Sequence, residues 1–183
     1  MPASPEQLYE QTLVIRSQIG DESAFADLLK LHGPRLLLFI RGMMQHAPEQ
    51  VADLTQEIWI TVFRMLPKLR EADKFKPWLF RIARDRVFQE FRRRHLPLQS
   101  MQHEDCAEIA EESATDSPVD VESLTQCLSR LTPEHREVLI LRFFEELDYE
   151  EISRVTSVTT GTVRSRIHYG KRALRQLWKD QDP

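Results

Sequence analysis

Apolar residues recur three and four positions apart along most of this 183-residue chain, alternating β-branched runs are missing, and Gly occurs only five times. That spacing puts apolar side chains on one face of a helix and leaves little for a sheet to use. The expected class is therefore all-α. Asp21 is suited to cap a helix whose inner stripe holds Phe25, Leu28 and Leu29. Pro34 is expected to interrupt or restart that helix before Leu37, Phe39 and Ile40, since its ring lacks an amide and crowds the preceding turn. A second helix begins near Pro48, with Val51, Leu54, Ile58, Val62 and Met65 as its core face and Asp53, Gln56, Glu57 and Arg64 opposite. Pro67 closes it. A third starts at Pro77 and runs through Leu79, Ile82, Ala83, Val87 and Phe91 toward Arg92, Arg93 and Arg94.

The periodicity is lost from Pro97 to about Val119, where Ser, Pro, Thr and acids replace long apolar residues. Two small helical domains, residues 1–96 and 121–183, are thus expected on either side of a flexible acidic linker over 97–120. Beyond the linker, Val121, Leu124, Cys127, Leu128 and Leu131 suggest a short helix. Thr132 followed by Pro133 and Glu134 marks the next helix start, with Val138, Leu139, Leu141, Phe143 and Phe144 on its apolar side.

Charge is segregated along the chain. The net formal charge is only −4, which argues against coating nucleic acid through bulk positive charge. Yet Arg64 to Arg94 holds eleven Lys or Arg against four acids, and Arg154 to Lys179 holds seven against none. Between these islands, Ser100 to Glu122 carries eight acids and no Lys or Arg. A basic, acidic, basic order suits two DNA-facing modules joined by an acidic strap. Cys106 and Cys127 form no CxxC pair and read as reduced thiols, and His103 with Cys106 lacks two companions for zinc, so neither metal nor cofactor is expected. The first residues show no secretory pattern and no stretch approaches ~18 apolar residues, which predicts a cytoplasmic chain without membrane insertion. There is also no Walker loop, nucleophile elbow, GxGxxG or His-Glu metal spacing to support an enzyme or a small-molecule substrate.

The strongest local pattern begins at Asp148, which can cap a short helix while Glu151 reaches back and Ile152 and Val155 face inward. A turn at Thr156 to Thr160 precedes Gly161 and a helix with a buried stripe of Val163, Ile167, Leu174 and Leu177. Its opposite face carries Arg164, Ser165, His168, Arg172 and Arg175. Two such helices across a tight turn describe a helix-turn-helix whose second member enters the major groove. Arg164 is placed to donate to guanine O6 and N7, with Ser165 and His168 beside it. Lys171, Arg172 and Arg175 suit phosphates.

The stretch LTPEHREVLILRFFEELDYEEISRVTSVTTGTVRSRIHYGKRAL resembles region 4 of the sigma-70 family, and DLTQEIWITVFRML followed by FKPWLFRIARDRVFQEFRRR resembles its region 2. The lack of a domain between them is similar to the extracytoplasmic-function (ECF) subgroup. The resemblance implies a noncatalytic factor that binds core RNA polymerase, recognises the minus-35 promoter element as duplex and melts the minus-10 element. It implies that Asp53, Gln56, Glu57 and Arg64 meet the β′ clamp helices, and that Val138 to Phe144 bind the β flap besides packing a core. Lys74, Phe75, Lys76, Trp78, Arg81, Arg84, Arg92 and Arg93 would serve the minus-10 strand, supplying cations for its backbone and apolar platforms for its bases. Trp78 is equally well read as core.

The linker would thread through the polymerase, its acids imitating nucleic acid, although a solvated linker has the same composition. The resemblance also implies control by an anti-sigma partner, which usually holds members of the subgroup inactive. Three departures bear on promoter choice: Asp85 stands where Asn follows the IAR motif, Tyr169 where Arg is frequent, and Ser157 near the usual Gly of the helix-turn-helix. A stand-alone helix-turn-helix regulator would need a sensor or dimerisation domain, and residues 1–96 look instead like a second nucleic-acid module.

Overall fold

The computed structural model describes residues 4–45, 47–93 and 121–179. The acidic linker with His103 and Cys106, as well as Arg94, lies outside the described residues. Eight α-helices account for the architecture, with no strand among the described residues. They are α1 (Pro5–Gln18), α2 (Glu22–Met43), α3 (Val51–Met65), α4 (Phe75–Arg93), α5 (Val121–Ser129), α6 (Pro133–Leu139), α7 (Tyr149–Thr156) and α8 (Thr160–Lys179). Two compact units result, one from α1 to α4 and the other from α5, α6, most of α7 and α8.

In the first unit α1 packs on α2, and α3 and α4 pack on each other and on α2. The apolar periodicity did not single out α1, but its start carries a local signal: the Ser4 hydroxyl accepts from the Gln7 amide at 3.2 Å and Gln7 Oε1 accepts from the Ser4 amide at 2.8 Å. Leu13 and Val14 bury the inner face of α1, and the Gln18 side-chain amide donates to the carbonyls of Leu66 (3.1 Å) and Leu69 (2.6 Å), tying its end to the turn after α3. Asp21 caps α2 as expected, accepting from the Ala24 amide at 3.1 Å. Pro34 does not interrupt this helix, which continues through it to Met43. Its missing amide leaves only the carbonyl of exposed Lys30 without a helical donor, and water reaches that side. Leu54, Ile58 and Val62 are core on α3, but Met65 is exposed and Leu66 takes its place.

In the second unit α5 and α6 pack on α8. Thr132 caps α6 through the His135 amide at 3.4 Å. Residues Ile140–Phe144 continue it as a widened π-turn, and this rotates the chain so that Leu141 is fully buried while Phe143 and Phe144 are exposed. These two rings therefore leave the core expected of them.

A buried cation organises this corner. Arg136 is 3% exposed, and its guanidinium donates to the carbonyls of Leu128 (2.7 Å), Ser129 (2.6 Å) and Leu131 (2.8 Å). The Leu128 and Ser129 oxygens lie in the last turn of α5 and that of Leu131 just beyond it, and the Leu128 oxygen also accepts from the Leu131 amide at 3.2 Å. Replacing Arg136 by Leu should lower the unfolding free energy by about 3 kcal/mol, because three carbonyls, two of them buried, lose a charged donor. Lys should recover little of that loss for want of a planar fork. Urea denaturation would check both, and an unchanged midpoint for Arg136→Leu would refute the role.

Candidate nucleic-acid and polymerase interfaces

The helix-turn-helix is assembled by local hydrogen bonds. The Glu151 amide donates to Asp148 Oδ1 at 2.7 Å and the Asp148 amide to Glu151 Oε2 at 2.9 Å, while Ile152 and Val155 are fully buried. Ser157 follows α7 with φ 57°, in the left-handed region that glycine adopts more easily. The Ser153 hydroxyl donates to the Val158 carbonyl at 2.6 Å, and Thr159 accepts from the Thr162 amide at 3.2 Å, which starts α8.

Val163 and Ile167 bury the inner stripe of α8, whereas Leu174 and Leu177 are only half-buried. Gly170, which the apolar pattern passed over, is buried on this face. A Cβ there would come within 3.2 Å of Leu139 Cδ1 and 3.3 Å of His135 Cβ, so a glycine is what allows α8 to cross α6 closely. The available signal was a glycine in mid-helix, costly unless a neighbour approaches.

On the outer face Arg164, Arg172 and Arg175 are exposed, and Ser165, His168, Tyr169 and Lys171 are partly so. Ser165 donates to the Thr162 carbonyl at 3.0 Å, the rings of His168 and Tyr169 lie 5.3 Å apart, and Lys171 Nζ is 5.9 Å from the Phe143 ring. The Arg164 guanidinium lies 5.9 Å from the ring of Tyr149, at the start of α7. The fold thus gathers all seven predicted groups on one helix that contains no acid.

In the first unit, Asp53, Gln56, Glu57 and Arg64 project from α3 into solvent. Ile60 and Phe63, which the sequence reading did not single out, are exposed on the same helix at 43% and 55%. Arg86 on α4 approaches Glu57 (4.0 Å) and Thr61 (3.4 Å), bracing the two helices.

Along α4 and the turn before it, the predicted residues separate. Lys74 pairs with Asp73 at 3.0 Å, Arg81, Asp85 and Arg92 are exposed, and Arg93 donates to both oxygens of Glu90 at 2.9 Å. Arg84 lies over the Phe88 ring (4.5 Å) and 3.6 Å from Asp85, so the acid at this position is already neighboured by a cation. Phe75, expected as a platform for bases, is completely buried, 5.2 Å from the His32 ring and 6.0 Å from Trp78. It is the first residue of α4 and turns inward onto α2, which leaves partly exposed Trp78 as the accessible ring.

Residues 28–96 match the family pattern of Sigma-70 region 2, and residues 122–174 match that of Sigma-70, region 4. The chain is 33% identical to the RNA polymerase sigma-H factor of Pseudomonas aeruginosa over 185 residues, covering 92% of this chain and 93% of that protein. It is 30% identical to the ECF RNA polymerase sigma-E factor of Escherichia coli over 181 residues, covering 92% and 94%. The chain belongs to the ECF subgroup of the sigma-70 family. Its fold is similar to that of the sigma factor RpoE in complex with the anti-sigma factor NepR from Bartonella quintana, with a TM-score of 0.68 and 23% identity over 87% of this chain and 98% of that one.

As a sigma factor the chain is a transcription regulator that binds core RNA polymerase and directs promoter-specific initiation. Among its described residues no helix is long and apolar enough to cross a membrane.

Against the start of α4 in this sigma factor lies a buried histidine beside a partly buried acid. His32 is 4% exposed, with Nε2 3.6 Å from Glu10 Oε1. Burial, reinforced by Lys76 and Arg35, lowers the imidazole from its ordinary 6.5 to about 4. Burial raises the Glu10 carboxyl, with Lys76 opposing. Above pH 6.5 His32 is neutral in both folded and unfolded chains and adds no pH dependence. Below it the unfolded chain takes up a proton that the folded one refuses, so stability falls between pH 6.5 and about 4 by up to roughly 3 kcal/mol. Glu10 acts oppositely, its contribution being present at low pH and lost as pH rises through its elevated value. The His32→Phe variant should lack the histidine-linked decline when urea stability is measured across this range, and a decline as steep as that of the unaltered protein would refute the assignment.

Proposed function

We propose that α8 reads the minus-35 element as duplex and that the segment from Lys74 to Arg93 engages the melted minus-10 element. The observation that carries this reading is the acid-free outer face of α8, presented by a capped helix-turn-helix that buries only the opposite stripe. In this reading Arg164 contacts a base, with Ser165, His168 and Tyr169 alongside, while Lys171, Arg172 and Arg175 meet phosphates. Exposed Arg81 and Arg92 serve the nontemplate backbone and Trp78 offers the stacking ring.

The outer face of α3 is the polymerase surface in this proposal, with Asp53, Gln56, Glu57 and Arg64 around the exposed Ile60 and Phe63. An apolar centre with a charged rim is the usual anatomy of a specific interface. Phe143 and Phe144 form a second such patch, suited to the β flap. The functional boundaries are residues 1–96 and 121–183, joined through 97–120. The chain works in the cytoplasm without catalysis of its own, and an anti-sigma factor controls it, as NepR complexes with the Bartonella protein.

Transcription in vitro with bacterial core polymerase, with and without this protein, on a promoter-fragment library should give transcripts starting downstream of a shared bipartite motif. Duplex binding without core-dependent initiation would favour a stand-alone regulator. On the motif so obtained, Arg164→Ala should cost about 1–3 kcal/mol of discrimination at one minus-35 base. Equal losses on every sequence would overturn that contact. Arg172→Ala and Arg175→Ala should each weaken binding on all sequences and reduce the salt slope by about one, whereas an unchanged slope would remove the phosphate assignment.

A further inference from the structure

Tyr149 is the first residue of α7 and is partly exposed. Its backbone is fixed by the reciprocal cap between Asp148 and Glu151. Two guanidinium groups share its ring: Arg142 at 5.3 Å and Arg164 at 5.9 Å from the centroid. Arg142 is itself anchored, since its Nη1 donates to the Leu147 carbonyl at 3.1 Å. The ring is therefore held by the α7 cap and by an anchored arginine, and it meets the arginine of α8 that projects toward the groove.

We propose that Tyr149 is a positioning residue for Arg164 and thereby sets the base discrimination of the helix-turn-helix. The proposal rests on the reading of Arg164 as a base contact. An aromatic face attracts a guanidinium and restricts its rotamers. Bidentate recognition of guanine needs the fork in one plane and at one height, so an arginine ordered before DNA arrives loses less freedom on the correct base. An arginine released from the ring is free to reach phosphates or the edges of other bases, which preserves much of the affinity and erodes the preference. Tyr149 thus acts on specificity more than on binding, without touching a base itself.

The test compares the full chain with Tyr149→Phe, Tyr149→Leu, Arg164→Ala and the double Tyr149→Leu/Arg164→Ala variant. Fluorescence anisotropy would measure their binding to the minus-35 duplex found by transcription and to its single-base variants, with thermal melts establishing that each chain is folded. Tyr149→Phe, which keeps the ring, should retain discrimination. Tyr149→Leu should lose about two- to fivefold of it at the one position where Arg164→Ala loses it, and the double variant should lose no more than Arg164→Ala alone. Equal weakening on every duplex, full discrimination in Tyr149→Leu, or a further loss in the double variant would overturn the positioning role. If Arg164→Ala keeps its preference at every position, the base contact falls and the proposal falls with it. If Arg164→Ala loses a preference that Tyr149→Leu keeps, only the proposal falls.

Discussion

Each helix of this chain has one apolar stripe to bury, and that constraint decides which charges remain available for work. A stripe laid against a neighbour removes water from one side only, so the opposite side must be polar or be covered by something else. In α8 the result is a face of arginines that nothing in its own unit covers. In α3 it is a mixed face, where Phe63 and Ile60 stand among Asp53, Glu57 and Arg64. The difference corresponds to two kinds of contact: a phosphate backbone asks for charge, whereas a protein surface rewards an apolar centre.

Rigidity in the second unit comes from polar chemistry as much as from apolar packing. Arg136 closes the end of α5 on α6, and Gly170 leaves room on α8 for the side chains of Leu139 and His135 from α6. The second helix of the helix-turn-helix is thereby mounted on α6 at one close crossing. The π-turn after α6 has a second effect, since one extra residue in the turn moves Phe143 and Phe144 out of the core and onto the surface. Left-handed Ser157 has a related role, because it turns the chain between α7 and α8 in three residues, at a conformational cost of about 1 kcal/mol relative to glycine.

Most of the architecture was legible because it rests on local rules. Caps at Asp21, Thr132 and Asp148, the stripes of α3 and α4, and the acid-free α8 are all patterns within a few residues of one another. Several misreadings share a cause, which is that the deciding partner lies elsewhere in the chain or in solvent. Pro34 is harmless because its side of α2 meets water, and Phe75 is core because α2 supplies His32 opposite it. Arg136 carried no signal in the sequence, because its acceptors are backbone carbonyls, which have no sequence signature. Phe143 and Phe144 fitted a continuous 3.6-residue period, and the π-turn shifts that period by one residue. In the helix-turn-helix the sequence named Arg164 but not Tyr149, because a contact between α7 and α8 follows from the turn geometry and not from spacing along either helix.

A chain with net charge −4 reading DNA is no contradiction once distance is considered. At physiological ionic strength a charge is felt over about 8 Å, so a phosphate placed against α8, as proposed, would sense Arg164, Arg172 and Arg175 far more than any acid beyond that distance. Those acids still matter to the encounter with DNA of any sequence, because an overall negative chain gains little from nonspecific association. Confining the positive charge to two short islands therefore favours contacts that need a particular face in a particular orientation. In such an arrangement the order imposed on a single arginine by the ring of Tyr149 bears directly on selectivity, since little general attraction exists to mask it.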